Sequence, residues 1–247
     1  MDEELLTGGN THDAIVRAGD TVRRPTGPWT PGVHALLRHL DESGFDGAPR
    51  ALGIDEQGRE VLTFVAGDVV YPDHVDLLAA DEALAEVAGV IRSFHDAVEG
   101  FDPHGYEWSD RGSDGTGGGE LVCHNDLAPW NLVRRPDGGW TFIDWDFAAP
   151  GRRAWDLAWA LLTLVPLMPG DRVPPEDVPR RISVYRDAYG GLDPDVIDVA
   201  VALCEREAHL IRTHPANERL LARGEDAIWA EAAAHVARHA EEWNAAL

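Results

Sequence analysis

LVCHNDLAPWNLVRRPDGGWTFIDWD, residues 121–146, combines two strand-like runs with a cluster of oxygen-bearing side chains. The runs, Asn131–Arg135 and Trp140–Asp144, flank Pro136-Asp137-Gly138-Gly139, which is turn chemistry. With Arg135 facing Trp140, a regular hairpin sets Asn131 opposite Asp144, and directly opposed Cβ atoms sit about 5 Å apart. Asp126 lies on the entering loop, five residues before Asn131. Hard oxygen donors of this kind suit Mg²⁺, which takes one or two carboxylates and leaves its other positions to substrate phosphates and water. Singly, each of the three reads as a turn cap; together, straddling one hairpin, they favour a metal site.

The chain before this block divides in two. The first ~65 residues read as strand-rich, by alternation and turn signals. Ala14–Arg17 and Thr21–Arg24 flank Ala18-Gly19-Asp20 as a hairpin, and Gly8-Gly9-Asn10 precedes it as a turn. Pro31 opens a helix with Val33, Leu36, Leu37 and Leu40 on one face. Two short strands follow, around Ala51–Asp55 and Glu60–Val65. Ala66-Gly67-Asp68 reads as a connector. From about residue 73 the pattern is helical: Ala79–Val98 first, then 154–166, 175–189, 194–213 and 225–245. The expected architecture is α+β and two-lobed: a small β-rich lobe over residues 1–67, and a larger, mostly helical lobe over 68–247.

Composition narrows the function. The 247 residues carry 44 acids against 21 basic residues, for a net charge of -23. Nucleic acid is excluded as a partner, because a phosphate backbone needs a basic surface, and an anionic membrane is disfavoured for the same reason. All 21 basic residues are Arg. That removes Schiff-base lysines and the lysine of a phosphate-binding Gly-rich loop. Cys123 and Cys204 form no C-x-x-C pair and no disulfide framework. The start, Met1-Asp2-Glu3-Glu4, is acidic where a signal peptide is basic. The apolar run Leu157–Met168 is too short to span a bilayer. A cytoplasmic location is expected; the oligomeric state is not legible.

His124-Asn125-Asp126, four residues, then Asn131 resembles the catalytic loop of kinase-like phosphotransferases. Ile143-Asp144-Trp145-Asp146 resembles the metal-binding segment that follows it. With Trp155-Asp156-Leu157-Ala158, the set is similar to the aminoglycoside phosphotransferase and choline kinase-like family more than to protein kinases. The resemblance implies a two-lobed protein-kinase-like fold that uses ATP and Mg²⁺ to phosphorylate a hydroxyl of a small molecule. Asp126 would then orient the acceptor hydroxyl and accept its proton. Asn131 and Asp144 would hold Mg²⁺, and His124 would fix the loop beneath Asp144. Asp156 would hold the catalytic loop through backbone hydrogen bonds, although it also reads as an acid favoured by a helix dipole. Asp146 is either a further ligand or a supporting acid.

The same resemblance implies a basic residue on the third strand. Alternation puts Val22 and Arg24 on one face, with Arg23 facing away. Arg24 would contact phosphate, Val22 would cover adenine, and Thr63-Phe64-Val65-Ala66 would be the hinge. The helix after that strand offers His34 where an acid is usual. An Arg–His pair is not an ion pair, so a non-catalytic nucleotide- or protein-binding module stays open as the alternative. The acceptor is expected in the helical lobe. Before Gly67 there are 11 acids and 6 Arg; after it, 33 and 15. An acidic cleft would draw a cationic alcohol, such as an aminoglycoside or a choline-like molecule, with Glu205, Glu207 and Asp226 as candidate contacts.

Other patterns carry less. Asp144-x-Asp146 after an apolar strand resembles an aspartyl-nucleophile phosphatase, but that chemistry also recruits a Lys and the chain has none. His235 and His239 share a helix face, where a solvated helix outweighs a metal pair. Gly112–Gly119 reads as a loop. Trp155, Trp159 and Trp229 read as core or cleft wall.

Overall fold

The computed structural model describes residues 3–6, 15–110, 119, 121–170 and 172–247, so the turn expected at Gly8-Gly9-Asn10 and most of the Gly112–Gly119 loop lie outside the described residues. Among the described residues five strands precede Gly67: β1 (Glu4–Leu5), β2 (Val16–Ala18), β3 (Thr21–Arg24), β4 (Ala51–Ile54) and β5 (Glu60–Thr63). They form one antiparallel sheet in the order β1-β2-β3-β5-β4. Ala18 pairs with Thr21, so Gly19 and Asp20 make a two-residue turn, and Gly19 adopts φ +63°. At the β4–β5 turn the Asp55 carboxylate accepts the N–H groups of Gln57 and Arg59, at 2.9 and 3.0 Å.

Helix α1 (Thr30–Glu42) joins β3 to β4, with Pro31 in its first turn. Val33, His34, Leu36, Leu37 and Leu40 are its buried face, the stripe expected of an amphipathic helix. Full burial of such aliphatic side chains contributes about 1.5–3 kcal/mol each.

After Gly67 come β6 (Asp68–Val69), α2 (Asp81–Ala97), β7 (Leu121–Cys123), β8 (Leu132–Arg134), β9 (Trp140–Phe142) and β10 (Ala149–Gly151). Then follow α3 (Arg153–Thr163), α4 (Val178–Tyr189), α5 (Val196–Thr213), α6 (Glu218–Ala222) and α7 (Glu225–Asn244). Strands β6, β8 and β9 form one small sheet, and β7 pairs with β10. Gly67 adopts φ +143°, and a Cβ there would overlap the Arg134 carbonyl. The connector can therefore pass against the β8–β9 hairpin only as glycine. No helix among the described residues is long and apolar enough to cross a membrane.

The hairpin register differs from the expected one. Leu132 pairs with Phe142 and Arg134 with Trp140, and Arg135 N–H donates to the Gly139 carbonyl at 2.9 Å. The loop is thus Pro136-Asp137-Gly138, with Gly138 at φ +87°, a three-residue connection whose last residue is left-handed. Asn131 faces Ile143, whose N–H it accepts at 2.8 Å, and not Asp144. Asp144 lies past the end of β9 and turns out of the ladder at φ +60°.

A buried arginine helps tie the helical part together. Arg181 of α4 donates to the carbonyls of Val165 (2.8 Å), Ala79 (3.1 Å), Leu78 (3.0 Å) and Leu164 (3.3 Å). It satisfies backbone groups that helix ends leave over.

Candidate active site

Two non-glycine residues among those described have positive φ, Asn125 at +63° and Asp144 at +60°. Such strain persists only where surrounding structure holds it, and it clusters at functional sites. Asn125 tolerates it because its side chain bonds locally: Nδ2 donates to the Phe147 carbonyl at 2.9 Å. Its backbone N–H and that of His124 donate to Asp156, at 2.7 and 2.8 Å. Asp156 is fully buried in α3, and His95 of α2 lies 3.2 Å from Oδ2, the oxygen that accepts the His124 N–H. His95 in turn lies 2.7 Å from the Tyr189 hydroxyl. One carboxylate therefore ties the loop after β7 to three helices.

His124 is fully buried, and burial holds its pKa below the usual imidazole value. The neutral ring donates from Nε2 to the Ile143 carbonyl, at 3.2 Å, and packs 4.5 Å from Trp145. It thus touches the segment that presents Asp144.

Asp126 is partly buried and held by two donors. Trp130 Nε1 lies 3.1 and 3.2 Å from its oxygens, and Asn131 Nδ2 lies 2.7 Å from Oδ2. Desolvation pushes its pKa up to about 7. The Trp130 hydrogen bond opposes that shift, the Asp144 charge adds to it, Asn131 opposes it and Glu207 adds to it. Asp126, Asn131 and Asp144 thus share one neighbourhood, although not through the pairing expected from the hairpin.

Arg24 reaches the same place from β3. It is 4% exposed. Nη1 lies 2.9 Å from Asp144 Oδ1, Nη2 lies 2.7 Å from Asp146 Oδ1, and Nε bonds Glu60 Oε1. Burial works against its charge, but Asp146, Asp144 and Glu60 together raise its pKa above the free value. Arg23 turns the other way, toward Glu3 and Asp55. The expected Arg24–His34 pairing is corrected: Arg24 bonds Glu60 of β5, and His34 approaches the far oxygen of that same carboxylate at 3.0 Å. Glu60 was hidden because it belongs to no motif; the strand register Arg24↔Glu60 was the signal.

Val22 pairs with Leu62 beside Arg24. Phe64 N–H donates to the Asp20 carbonyl at 2.9 Å, and its ring lies 3.9 Å under the Arg17 guanidinium. Phe64, Val65 and Ala66 line a cavity of about 380 Å³ with Ala48, Arg135 and Pro136; Asp126 and Asp144 do not line it. Beside Asp126, the exposed rings of Trp130 and Tyr71 meet edge-on at 6.2 Å. Of the acceptor candidates, Glu207 lies close enough to act on Asp126 while pairing with Arg206 at 3.0 Å, Asp226 pairs with Arg212 at 3.1 Å, and Glu205 is solvent-exposed. Trp155, Trp159 and Trp229 are buried. The His235 and His239 rings lie 4.4 Å apart at a tilt of 46°, and His239 stacks on Trp243.

Residues 114–199 match the model of the phosphotransferase enzyme family. A trifolitoxin immunity protein from Rhizobium leguminosarum bv. trifolii is 39% identical over 163 residues, which are 64% of this chain and 60% of that protein. The chain thus spans less than two thirds of that relative's length. A putative aminoglycoside phosphotransferase from Ralstonia eutropha superposes with TM-score 0.62 at 12% identity, over 96% of this chain and 92% of that one. Ethanolamine kinase from Plasmodium vivax does so with TM-score 0.62 at 11% identity, over 94% and 82%. A spectinomycin phosphotransferase solved with ADP and spectinomycin gives 0.61 at 10% identity, over 99% and 93%. Residues 114–199 therefore carry the signature of the phosphotransferase enzyme family, on the kinase-like fold of aminoglycoside phosphotransferases and choline or ethanolamine kinases.

Proposed function

We propose that the protein is an ATP- and Mg²⁺-dependent phosphotransferase acting on a hydroxyl of a small molecule. The observation that carries this reading is Asp126, held by Asn131 at 2.7 Å, within reach of the Asp144 charge, with its pKa pushed up to about 7. A base poised near neutral pH is what removal of a hydroxyl proton asks for. Phosphoryl transfer otherwise needs alignment and charge neutralisation.

The residues present fit a divalent cation. Both hydrogens of the Asn131 amide are committed to Asp126, so the amide oxygen is the group left to act as a metal donor. The Asp144 side chain is 44% exposed. Asn131 and Asp144 would hold the ion, which when bound neutralises phosphate charge. Asp126 orients the acceptor hydroxyl and takes its proton, His124 supports the segment carrying Asp144, and Asp156 keeps the loop in place. Arg24 faces the phosphates, and Val22, Phe64 and Val65 cover the base. Because the Phe64 N–H is engaged by Asp20, hydrogen bonds to the base fall to the backbone of Val65 and Ala66. In this reading the nucleotide-covering lobe is residues 1–67 and the acceptor lobe is 68–247.

The acceptor meets Trp130, Tyr71 and Glu207, a setting that favours a cationic alcohol such as an aminoglycoside or a choline-like molecule. The relative's name adds trifolitoxin to the candidates. The charge of -23 argues against nucleic-acid and anionic-membrane partners. The test is transfer of labelled phosphate from ATP to amino sugars, choline, ethanolamine and trifolitoxin, with Asp126→Asn as control. Acceptor-dependent transfer that the variant loses supports the reading; no transfer, or equal transfer by the variant, overturns it.

One observation favours a second reading, a non-catalytic nucleotide- or protein-binding module: Arg24 is already engaged by three carboxylates. ATP that raises the unfolding temperature only with Mg²⁺ argues for the enzyme. Stabilisation that ignores metal argues for the module.

A further inference from the structure

Glu60 belongs to no recognised motif, is 1% exposed, and has both carboxylate oxygens in use. Oε1 accepts from Arg24 Nε, and Oε2 accepts from His34 Nε2 at 3.0 Å. A buried carboxylate is tolerated only when paired in this way. The pairing joins three elements: Arg24 on β3, Glu60 directly opposite it on β5, and His34 on α1.

The geometry at Arg24 is directional. A guanidinium is planar, and its five donors are fixed relative to one another. Gripped at Nε by Glu60, the guanidinium has its plane fixed, and Nη1 and Nη2 are left for other acceptors. Those two nitrogens meet Asp144 and Asp146, at 2.9 and 2.7 Å. The two contacts differ in how readily they exchange. Glu60 is sealed and Asp146, with its side chain 10% exposed, nearly so, whereas the Asp144 side chain is 44% exposed and open to solutes. The fixed end of Arg24 is therefore Glu60, and exchange with a solute begins at Nη1, which meets the exposed Asp144.

We infer that Glu60, backed by His34, is a positioning residue that aims the outer nitrogens of Arg24 at the nucleotide phosphates. This rests on the phosphotransferase reading and deepens it. The acid that orders the phosphate-contacting cation comes from the neighbouring strand. His34 fills the helix position with a donor and locks the acid from behind. Glu60 itself touches neither nucleotide nor acceptor.

The test uses the full chain. Binding of ATP with Mg²⁺ is measured by calorimetry, and KM and kcat are measured on whichever acceptor turns over. The variants are Glu60→Gln, Glu60→Asp and the double variant Glu60→Gln/His34→Glu, which moves the acid onto α1. Glu60→Gln is expected to weaken nucleotide binding about ten- to a hundredfold, as when a partner that orients a contacting group is removed, with the loss in KM exceeding that in kcat. The double variant is expected to recover most of that affinity, which restored folding alone would not do. Should Glu60→Gln fail to fold, Glu60→Asp keeps the charge with a shorter reach and is expected to weaken binding in the same sense. Folded variants that bind like the wild type, or a folded double variant without recovery, overturn the role of Glu60 alone. A wild-type chain that binds no nucleotide overturns the phosphotransferase reading, and this inference with it.

Discussion

Asn131 donates through Nδ2 to Asp126 Oδ2 at 2.7 Å, so the residue that would hold a cation also orients the carboxylate that would meet the acceptor. The bond stabilises the charged form of Asp126, yet burial and the Asp144 charge still leave its pKa at about 7. In the unfolded chain an Asp titrates at the ordinary carboxylate value, near 3.8. Between those values the folded state holds more protons than the unfolded one, so stability falls as pH rises.

Asp126→Asn removes that penalty. The variant is expected to be more stable than the wild type at pH 8, by on the order of 1 kcal/mol, with the difference vanishing near pH 4. Its phosphoryl transfer is expected to fall about 10²–10⁴-fold. Thermal melts across pH, beside initial rates, check both.

Trp130→Phe keeps the ring and deletes the N–H that Asp126 accepts. Without it the carboxylate titrates higher. Activity of this variant is expected to drop more at pH 6 than at pH 8, moving the acid limb of the kcat/KM profile upward. A profile that scales down evenly at all pH values would show that Trp130 does not tune Asp126.

Asp156→Ala leaves two buried N–H groups and His95 without their acceptor. Removing one partner of a buried charged network costs about 3–5 kcal/mol. Chemical denaturation is expected to show a loss of that size, and nucleotide binding and turnover are expected to weaken as the loop loses its tie. Asp156→Asn, which keeps one acceptor oxygen, should lose less.

Arg181→Met fills a similar volume but strands four carbonyls. Unsatisfied buried acceptors cost about 1–3 kcal/mol each before relaxation. A melting temperature lower by about 6–12 °C is expected, the shift that ~3 kcal/mol gives in a chain of this size. Near-normal KM values at low temperature would show that the effect is on stability and not on the site.

Much of the fold was legible in the sequence because its signals are local. The stripe Val33, Leu36, Leu37 and Leu40 marked α1, and the Gly19 turn marked β2 and β3. The hairpin register was misjudged by one position, because Gly139 pairs with Arg135 and the left-handed residue is Gly138. Nothing in the composition of Pro136-Asp137-Gly138-Gly139 distinguishes a three-residue from a four-residue loop. Glu60, His95 and Trp130 escaped notice for a different reason. Each acts through a partner distant in sequence or through a ring nitrogen, which no spacing rule reads. Helix α6 is five residues long, below the length at which periodicity can mark a helix.

The most direct test of the account is a crystal structure with Mn²⁺ and a non-hydrolysable ATP analogue, read by anomalous scattering at the manganese edge. The account predicts a peak at the Asn131 side-chain oxygen and the Asp144 carboxylate, with Asp126 beside the transferable phosphate and the Arg24 outer nitrogens turned to phosphate oxygens. A peak elsewhere in the protein, or nucleotide bound away from these residues, would contradict it.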